Sequence, residues 1–570
     1  MNNKILSLFA AAVCLAGCME LDQFPKDKVS SGTFWKTEEH AKQAMMGVYN
    51  DMKQEHLFGC YFCQDGMSDI SFGYYESKVY GTYTDRDGHV SGKWQRTYDG
   101  IMRANAVLHN LPDIEMSDEL KARYEGEAKF MRALYYFHLL DFYGGVPLYD
   151  ESLVLDQDFN DMKLPRSSAD ETRTFILNDL KRAIETLPVK WDAADYGRAT
   201  RGAAVALRGK VELYAQDYPA AIADFEEIVN DPDGRGYGYG LHTSYTELFV
   251  PEGHASNEMI FTIQNKGGVG MNYGMPMAWY FGTRSTYGSG WTTCVPTADF
   301  VEMYENADGT TFDWKSYFPD FDGSVEWKQK MFRAELTEDF KTVAKYPAKV
   351  DELRDMYTKR DPRLNYNVIL PYTKYNGWNQ NKPKECEFVL ADGINEANGF
   401  IRNEKGWESY LWRKFVPEGD MGGLITDRSH TPINFPLIRY ADVLLMLAEC
   451  YNETDRLDEA VALINRVRQR PTVNMPALNS GPAHLEARTK EAVFDRIVRE
   501  RAFELAGEGH RFSDLRRWKL AVKLLNDRKD YGITGKLQYT HKFAERDYLW
   551  PIPGSEIEVN PGIGSNNPGW

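Results

Sequence analysis

The chain has 570 residues, of which 43% are apolar and 13% aromatic, so it can bury a large core and form two or three domains. Its formal net charge of −17 argues against nucleic acid or an anionic membrane surface as ligand, because both require basic patches. No stretch after the N-terminal segment approaches the ~18 consecutive apolar residues of a membrane-spanning helix.

The N-terminal residues have the layout of a secretory signal. Lys4 precedes an apolar run at 5–15, which is too short to span a bilayer. The run ends in Leu-Ala-Gly-Cys at 15–18, which resembles a bacterial lipobox, where the cysteine is acylated and the peptide is cut before it. We therefore predict a signal peptide at 1–17 and lipidation of Cys18, which would anchor the mature chain to a membrane. The alternative is an ordinary signal peptide with an incidental cysteine.

Helical periodicity dominates the first part of the mature chain. Apolar residues recur at three- and four-residue steps over 90–111 and over 117–142, where Ser117 provides an N-cap. Two later helix pairs have the spacing of tetratricopeptide repeats: a clear pair at 444–464 and a looser copy at 204–232. Such pairs must stack to bury their faces, so the sequence predicts a mainly α, tetratricopeptide-like helical scaffold.

The composition changes between the two repeat-like pairs. From about 236 to 439, glycines, prolines and aromatics crowd together without a helical period, and short β-like segments such as 258–263 interrupt them. Loops this long in a compact domain are usually functional. We therefore predict a helical region at 18–235, a loop-rich, partly β insertion at 236–439 that carries the ligand face, and a C-terminal helical region at 440–570.

Metal and cysteine signals are weak. Asp85 and Asp87 resemble part of a calcium-binding loop but lack the later ligands, so a structural calcium ion stays an open alternative. We predict no other cofactor or metal. Cys60 and Cys63 have CxxC spacing, without a second CxxC or a His pair to complete a zinc set. We interpret them as a structural disulfide or as two buried free thiols.

Three carboxylates near the C-terminus require a separate interpretation. Glu500, Glu504 and Glu508 recur every four residues on one face of a predicted helix, interleaved with arginines. A glycosidase needs two carboxylates that face each other across the sugar bond, ~5–9.5 Å apart. Carboxylates stacked on one helical face predict an ion-pair network instead. Because no serine-hydrolase, zinc-protease or phosphate-loop motif occurs either, we predict that the protein is not an enzyme.

Four separated strings occur in order along the helical regions: FYGGVPL at 142–148, FDRIVRERAFEL at 494–505, EGHRFSDLRRW at 508–518 and LWPIPGSEI at 549–557. Together they resemble the SusD/RagB family of Bacteroidetes outer-membrane lipoproteins, and the resemblance covers essentially the whole mature chain. It implies a surface-exposed, lipid-anchored protein that captures oligosaccharides and acts as a lid over a SusC-like TonB-dependent transporter. The resemblance also implies a non-enzymatic binding protein built on a tetratricopeptide-like helical scaffold.

Aromatic loop residues are the candidates for sugar contact. Tyr and Trp rings can stack on the apolar face of a pyranose while polar neighbours bind its hydroxyls. Two loop regions supply them, and the resemblance implies that these regions converge on one face. The residues that we predict to bind carbohydrate are Tyr74, Tyr75, Tyr83, Trp279, Tyr280, Tyr287 and Trp291. Two alternatives stay open: a RagB-like peptide ligand, and a surface glycoside hydrolase or lyase with opposed acids in a deep cleft.

Overall fold

The computed structural model of the chain describes residues 34–153, 158, 161–401 and 408–570. The predicted signal peptide and the predicted lipidation site Cys18 lie outside these described residues. Within the described ranges, no helix combines the length and the apolar character needed to cross a membrane.

Helices form most of the regular structure. In chain order the α-helices are α1 Glu38–Asp51, α2 Glu76–Val79, α3 Gly88–Asn110, α4 Asp118–Tyr143, α5 Ala169–Thr186, α6 Arg201–Tyr214, α7 Tyr218–Asn230, α8 Met277–Tyr280, α9 Ala298–Met303, α10 Trp314–Tyr317, α11 Val325–Phe332, α12 Val350–Thr358, α13 Pro362–Asn367, α14 Tyr440–Glu453, α15 Leu457–Arg468, α16 Lys490–Glu504, α17 Arg511–Arg517, α18 Ala521–Leu525 and α19 Gly554–Val559.

The strands are short and pair antiparallel in twos. They are β1 Ser71–Phe72, β2 Met259–Ile263, β3 Val295–Pro296, β4 Glu335–Leu336, β5 Val343–Lys345, β6 Val368–Ile369, β7 Lys374–Asn379, β8 Lys382–Glu387, β9 Leu411–Trp412, β10 Phe435–Arg439, β11 Lys529–Tyr531 and β12 Leu537–Thr540. The pairs are β1 with β3, β2 with β10, β4 with β5, β6 with β9, β7 with β8, and β11 with β12.

The two long predicted helices are confirmed as α3 and α4. α3 begins after Asp87, whose carboxylate accepts from the backbone N–H groups of His89 and Val90. α4 begins after Ser117, whose hydroxyl caps the first turn, and ends at Gly144, where φ of 75° stops the helix. Nearly all side chains in the second half of α4 are buried, so this helix is central to the core.

The two repeat-like pairs are confirmed as α6–α7 and α14–α15. Within the first pair, Gly209 allows the Phe225 ring to approach, because a Cβ at Gly209 would lie 2.7 Å from that ring. α14 packs against α7, and the hydroxyl of Tyr451 donates to the Glu226 carboxylate across this contact at 2.6 Å. The pairs therefore stack, and the mainly α, tetratricopeptide-like fold class is confirmed.

The loop-rich region contains short helices and two-stranded sheets. Its predicted β-like segment is strand β2, which pairs with β10 at the far end of the region. The side chain of Asn434, before β10, accepts from the backbone N–H of Asn265, after β2, at 2.6 Å. One continuous buried cluster includes residues of all three predicted regions, and the predicted domain boundaries stay a prediction.

The carboxylates of α16 and its C-terminal extension are buried in an ion-pair network, as predicted. Glu504 accepts from three arginines: Arg439 at 2.8 Å, Arg470 at 2.7 Å and Arg363 at 3.1 Å. Glu508 pairs with Arg439 and Lys414, both at less than 3 Å. The partner cations lie on other segments: Arg363 on α13, Lys414 in the loop after β9, Arg439 at the end of β10 and Arg470 just after α15.

The five cysteines in the described ranges are free and buried: Cys60, Cys63, Cys294, Cys386 and Cys450. Of the two interpretations of Cys60 and Cys63, the structure therefore shows two buried free thiols. Burial, with the neighbouring thiols of Cys294 and Cys60, raises the pKa of Cys63 well above its usual value, so its thiol stays protonated.

Candidate functional site

The two aromatic loop regions meet through β1 and β3. Phe72 pairs with Val295, and the Ser71 hydroxyl donates to the Val295 carbonyl at 3.0 Å. Gly73 follows with φ of +116° and lies so close to the second loop that a Cβ would stand 1.8 Å from the Thr293 carbonyl oxygen. Only glycine fits this position, so Gly73 fixes how closely the two loops approach.

Backbone hydrogen bonds hold the second loop in a compact fold. The N–H of Trp291 donates to the Trp279 carbonyl at 2.7 Å, and the N–H of Thr293 donates to the Tyr280 carbonyl at 2.8 Å. Gly290 permits this closure, because its Cβ would lie 2.4 Å from the carbonyl oxygens of Ala278 and Gly282. Gly290, which directly precedes Trp291, is therefore required for close packing of the backbone.

Four rings from the two loops form one surface, here called the aromatic platform: Tyr74, Trp279, Tyr280 and Trp291. The planes of Trp279 and Tyr280 lie within 13° of each other, with ring centroids 5.8 Å apart. Trp291 meets Trp279 edge to face at 5.1 Å, and Tyr74 meets Tyr280 edge to face at 5.2 Å. Trp291 is 43% exposed, so this large ring remains open to solvent.

Polar groups surround the platform. The Glu55 carboxylate accepts from the hydroxyls of Tyr74 at 2.7 Å and Tyr280 at 3.3 Å. Burial raises the pKa of Tyr280 well above its usual value, which keeps this donor protonated. On the opposite loop, the Arg428 guanidinium lies 4.8 Å from the Trp279 ring centroid and 5.6 Å from that of Trp291. The platform therefore combines flat apolar faces with hydrogen-bonding groups.

Tyr75 and Tyr83 do not belong to the platform, and their prediction as ligand-contacting residues needs correction. Both are buried, at 2% and 5% exposure. The Tyr83 hydroxyl donates to Asp547 at 2.8 Å and its ring packs 4.7 Å from Trp570, while Tyr75 packs against Trp550. These rings anchor the first loop to the C-terminal tail, so neither offers a face to a ligand.

Tyr287 lies apart from the four platform rings. It packs against Trp378 of β7, with ring centroids 4.9 Å apart, and both rings are partly exposed. The backbone N–H of Trp378 donates to the Ser285 carbonyl at 2.7 Å, which fixes β7 against the platform loop. Tyr287 and Trp378 therefore form a second, smaller aromatic pair whose role in binding stays a prediction.

Sequence reasoning missed Glu55, Arg428 and Trp378. Glu55 lies in a short π-helical turn, Arg428 in a long irregular loop and Trp378 in a polar hairpin, and none carries a motif. Trp378 offered one signal, an aromatic residue in Gly-flanked sequence like that of Trp291. The two charged residues offered none.

The predicted calcium-loop residue Asp87 has other partners. Its carboxylate caps α3, accepts from the Ser77 hydroxyl at 2.9 Å and pairs with Lys78. Burial opposes ionisation of Asp87, but the hydrogen bonds and the ammonium group of Lys78 hold its pKa far below the usual range. Within the described part of the chain, no group of three or more His, Cys, Asp or Glu residues could hold a metal ion.

The fold and the platform together define a class: tetratricopeptide-like helical proteins that present an aromatic surface built from long loops. Residues 257–570 match the model of the SusD family, and residues 21–213 match a model described as starch-binding associating with outer membrane. The chain therefore belongs to the SusD family, which confirms the resemblance.

Relatives match over most of their length. The chain is 25% identical to SusD-like protein P25 of Formosa agariphila over 98% of this chain and 97% of that protein. It is 25% identical to starch-binding protein SusD of Bacteroides thetaiotaomicron over 79% of this chain and 74% of that protein. A solved SusD-like carbohydrate binding protein from Bacteroides fragilis shares the fold, with a TM-score of 0.74, 24% identity, and coverage of 93% of this chain and 100% of that one.

Proposed function

We propose that this protein is a surface-exposed, lipid-anchored glycan-binding protein that delivers oligosaccharides to a SusC-like TonB-dependent outer-membrane transporter. The observation that carries the proposal is the convergence of two loops, over 200 residues apart in sequence, on one aromatic platform. The starch-binding relative and the family description support a carbohydrate as the ligand.

The platform suits a sugar for physical reasons. A pyranose ring has an apolar C–H face and a rim of hydroxyls. The exposed Trp291 ring offers a large flat contact at low cost in side-chain entropy, since it has only two rotatable side-chain bonds. Glu55 and the hydroxyls of Tyr74 and Tyr280 form a rigid polar edge that can exchange hydrogen bonds with the rim.

The carboxylate geometry supports binding without turnover. Glu500, Glu504 and Glu508 are buried among arginines, so they are not available to act as acid and base on a sugar. Glu55, the carboxylate of the platform, is occupied by two tyrosine hydroxyls. A glycosidase needs a second, opposed acid. Release of shortened products from a bound polysaccharide would contradict this part of the proposal.

Trp291→Ala is expected to weaken glycan binding by ~1–3 kcal/mol, by analogy with base–aromatic stacking, and to change the melting temperature little. Calorimetry with a panel of oligosaccharides on the soluble form that starts after Cys18, alongside a thermal melt, measures both. Tyr196→Ala is the matched control, because Tyr196 is 44% exposed and lies in a loop between α5 and α6. Equal losses in both variants, or binding of peptides and of no glycan, would contradict the proposal.

Cys18→Ala is expected to abolish acylation, because the thiol is the acyl acceptor of a lipobox, and to release the folded protein from the membrane fraction. Metabolic labelling with a fatty acid measures acylation. Extraction of the native protein in mild detergent tests its association with a transporter. The native lipoprotein should co-purify with a TonB-dependent transporter. Continued labelling of the variant would contradict the anchor, and isolation of the native protein without a transporter would contradict the partnership.

A further inference from the structure

We infer that the glycan recognised at the aromatic platform carries an anionic group, a carboxylate or a sulfate ester, which Arg428 binds. This inference rests on the proposed function, because it assigns the ligand class of the same site. Three observations carry it: the open edge of the Arg428 guanidinium, the lack of an acidic partner for this residue among those that the structure describes, and a second cation, Lys53, that likewise has no carboxylate partner there.

Arg428 is held so that one edge of its guanidinium stays available. Its Nη1 donates to the carbonyl oxygens of Gly288 at 3.0 Å and Ser289 at 2.7 Å. Within the ranges that the structure describes, Nε and Nη2 have no acceptor at hydrogen-bond distance, and the side chain is only half-buried. The Nε–Nη2 edge is the fork that binds carboxylate and sulfate oxygens with two parallel hydrogen bonds.

Among the residues that the structure describes, no carboxylate forms an ion pair with Arg428. Glu55, the acid of the platform, accepts from the platform tyrosines. Asp427, the residue before Arg428, accepts from the N–H of Ser429 at 2.6 Å and faces the His430 ring at 3.5 Å. In a chain of net charge −17, an arginine beside the exposed Trp291 ring and without a described acidic partner is a local positive site.

Lys53 adds a second positive charge beside the platform. It lies two residues before Glu55, and its ammonium group donates to the Tyr273 carbonyl at 3.2 Å. Among the described residues it too has no carboxylate partner. Burial lowers the pKa of Lys53 to about 8, so it is mainly protonated at neutral pH. Tyr273 lies six residues before Trp279 on the same segment, so Lys53 contacts the chain that leads into the platform.

The arrangement fits a sugar ring that stacks on Trp291 and directs its charged substituent toward Arg428. A guanidinium over an indole face is attracted to the ring and keeps its donors in one plane. A neutral sugar would leave this charge solvated and gain little from it. The alternative role for Arg428 is structural, since its bonds to Gly288 and Ser289 tie the platform loop to its neighbour.

Matched probes separate the two roles. We would measure calorimetric affinity for polygalacturonate oligosaccharides and their carboxyl-reduced forms, and for sulfated galactan oligosaccharides and their desulfated forms. The proposal expects the native protein to prefer an anionic probe over its neutral counterpart by about tenfold or more, the usual strength of a charge-assisted hydrogen bond. The pair of probes that shows this preference identifies the anionic group of the ligand as a carboxylate or as a sulfate ester.

Arg428→Gln should lower the affinity for the anionic probe about tenfold more than the affinity for its neutral counterpart, so that the preference disappears, while Arg428→Lys should keep part of the preference. Arg488→Gln is the control, because Arg488 is an exposed arginine near the start of α16. An equal loss of affinity for both probes would show a structural role and overturn the inference. If the native protein bound the neutral and the anionic probes equally well, and if this binding depended on Trp291, the inference would be overturned but the proposed function would stand. Absence of binding to any of the four probes and to a neutral glycan panel would overturn both.

Discussion

Glu504→Gln is expected to lower the free energy of unfolding by ~3–5 kcal/mol, the cost of breaking a buried charge network by removing one partner. Glu504 is fully buried and pairs with Arg363, Arg439 and Arg470. A neutral amide leaves these guanidinium groups with one fewer negative charge in a site from which water is excluded. Chemical denaturation of the soluble form that starts after Cys18 measures the loss.

Glu459→Gln is the matched control for this experiment. Glu459 lies on α15, is exposed and pairs with Arg456, so its loss should cost at most ~1 kcal/mol. Both variants should bind glycan like the native protein once folded, because neither contacts the platform. A stable Glu504→Gln protein that had lost a hydrolytic activity would contradict both the structural interpretation of Glu504 and the binding-protein proposal.

The same network predicts a pH dependence. Burial alone would raise the pKa of Glu504, but Arg470, Arg439 and Arg363 hold it well below its usual value. A carboxylate with a lowered pKa in the folded state contributes stability above its unfolded pKa of ~4.3, and this contribution is lost as the pH falls toward the folded pKa. The stability difference between native protein and Glu504→Gln should therefore be constant near neutral pH and shrink below about pH 4.

The helical scaffold could be predicted from the sequence because its signals are local. Capping residues such as Ser117 and apolar residues at three- and four-residue steps fix a helix within one short segment. The repeat-like pairs at 204–232 and 444–464 were found in the same way, from residues at the spacing of tetratricopeptide repeats. Each of these features depends on residues close together in the chain.

The site could be predicted only by region, because its contacts join distant segments. Tyr74 and Tyr83 are alike in local sequence, yet Tyr74 reaches the platform and Tyr83 is buried against Asp547, 464 residues away. Likewise, nothing near Arg428 in sequence shows that it stacks on Trp279. Aromatic residues in glycine-rich loops indicated where a surface forms, while packing against the tail decided which rings face outward.

Gly73→Ala is expected to reduce glycan affinity more than tenfold and to destabilise the protein. At φ of +116° an alanine pays ~1–3 kcal/mol of backbone strain, and its Cβ would overlap the Thr293 carbonyl oxygen at 1.8 Å. That oxygen belongs to a residue whose N–H is bound to Tyr280, so the loop cannot move away without disturbing a platform ring. Isothermal calorimetry and a thermal melt on the same variant measure the two effects.

Gly234→Ala is the control that separates the effect of backbone strain from that of steric overlap. Gly234 also has a positive φ, of +61°, but a Cβ there would meet no atom within 4 Å. It lies in a turn after α7 on the helical scaffold, so it should cost some stability and leave glycan affinity unchanged. Gly73→Ala should in addition move Tyr74 away from Tyr280. In the native protein the two ring centroids lie 5.2 Å apart and both hydroxyls donate to Glu55. If Gly73→Ala bound glycan as tightly as the native protein, the first loop would not be part of the site, and binding would depend on the Trp279–Trp291 loop alone.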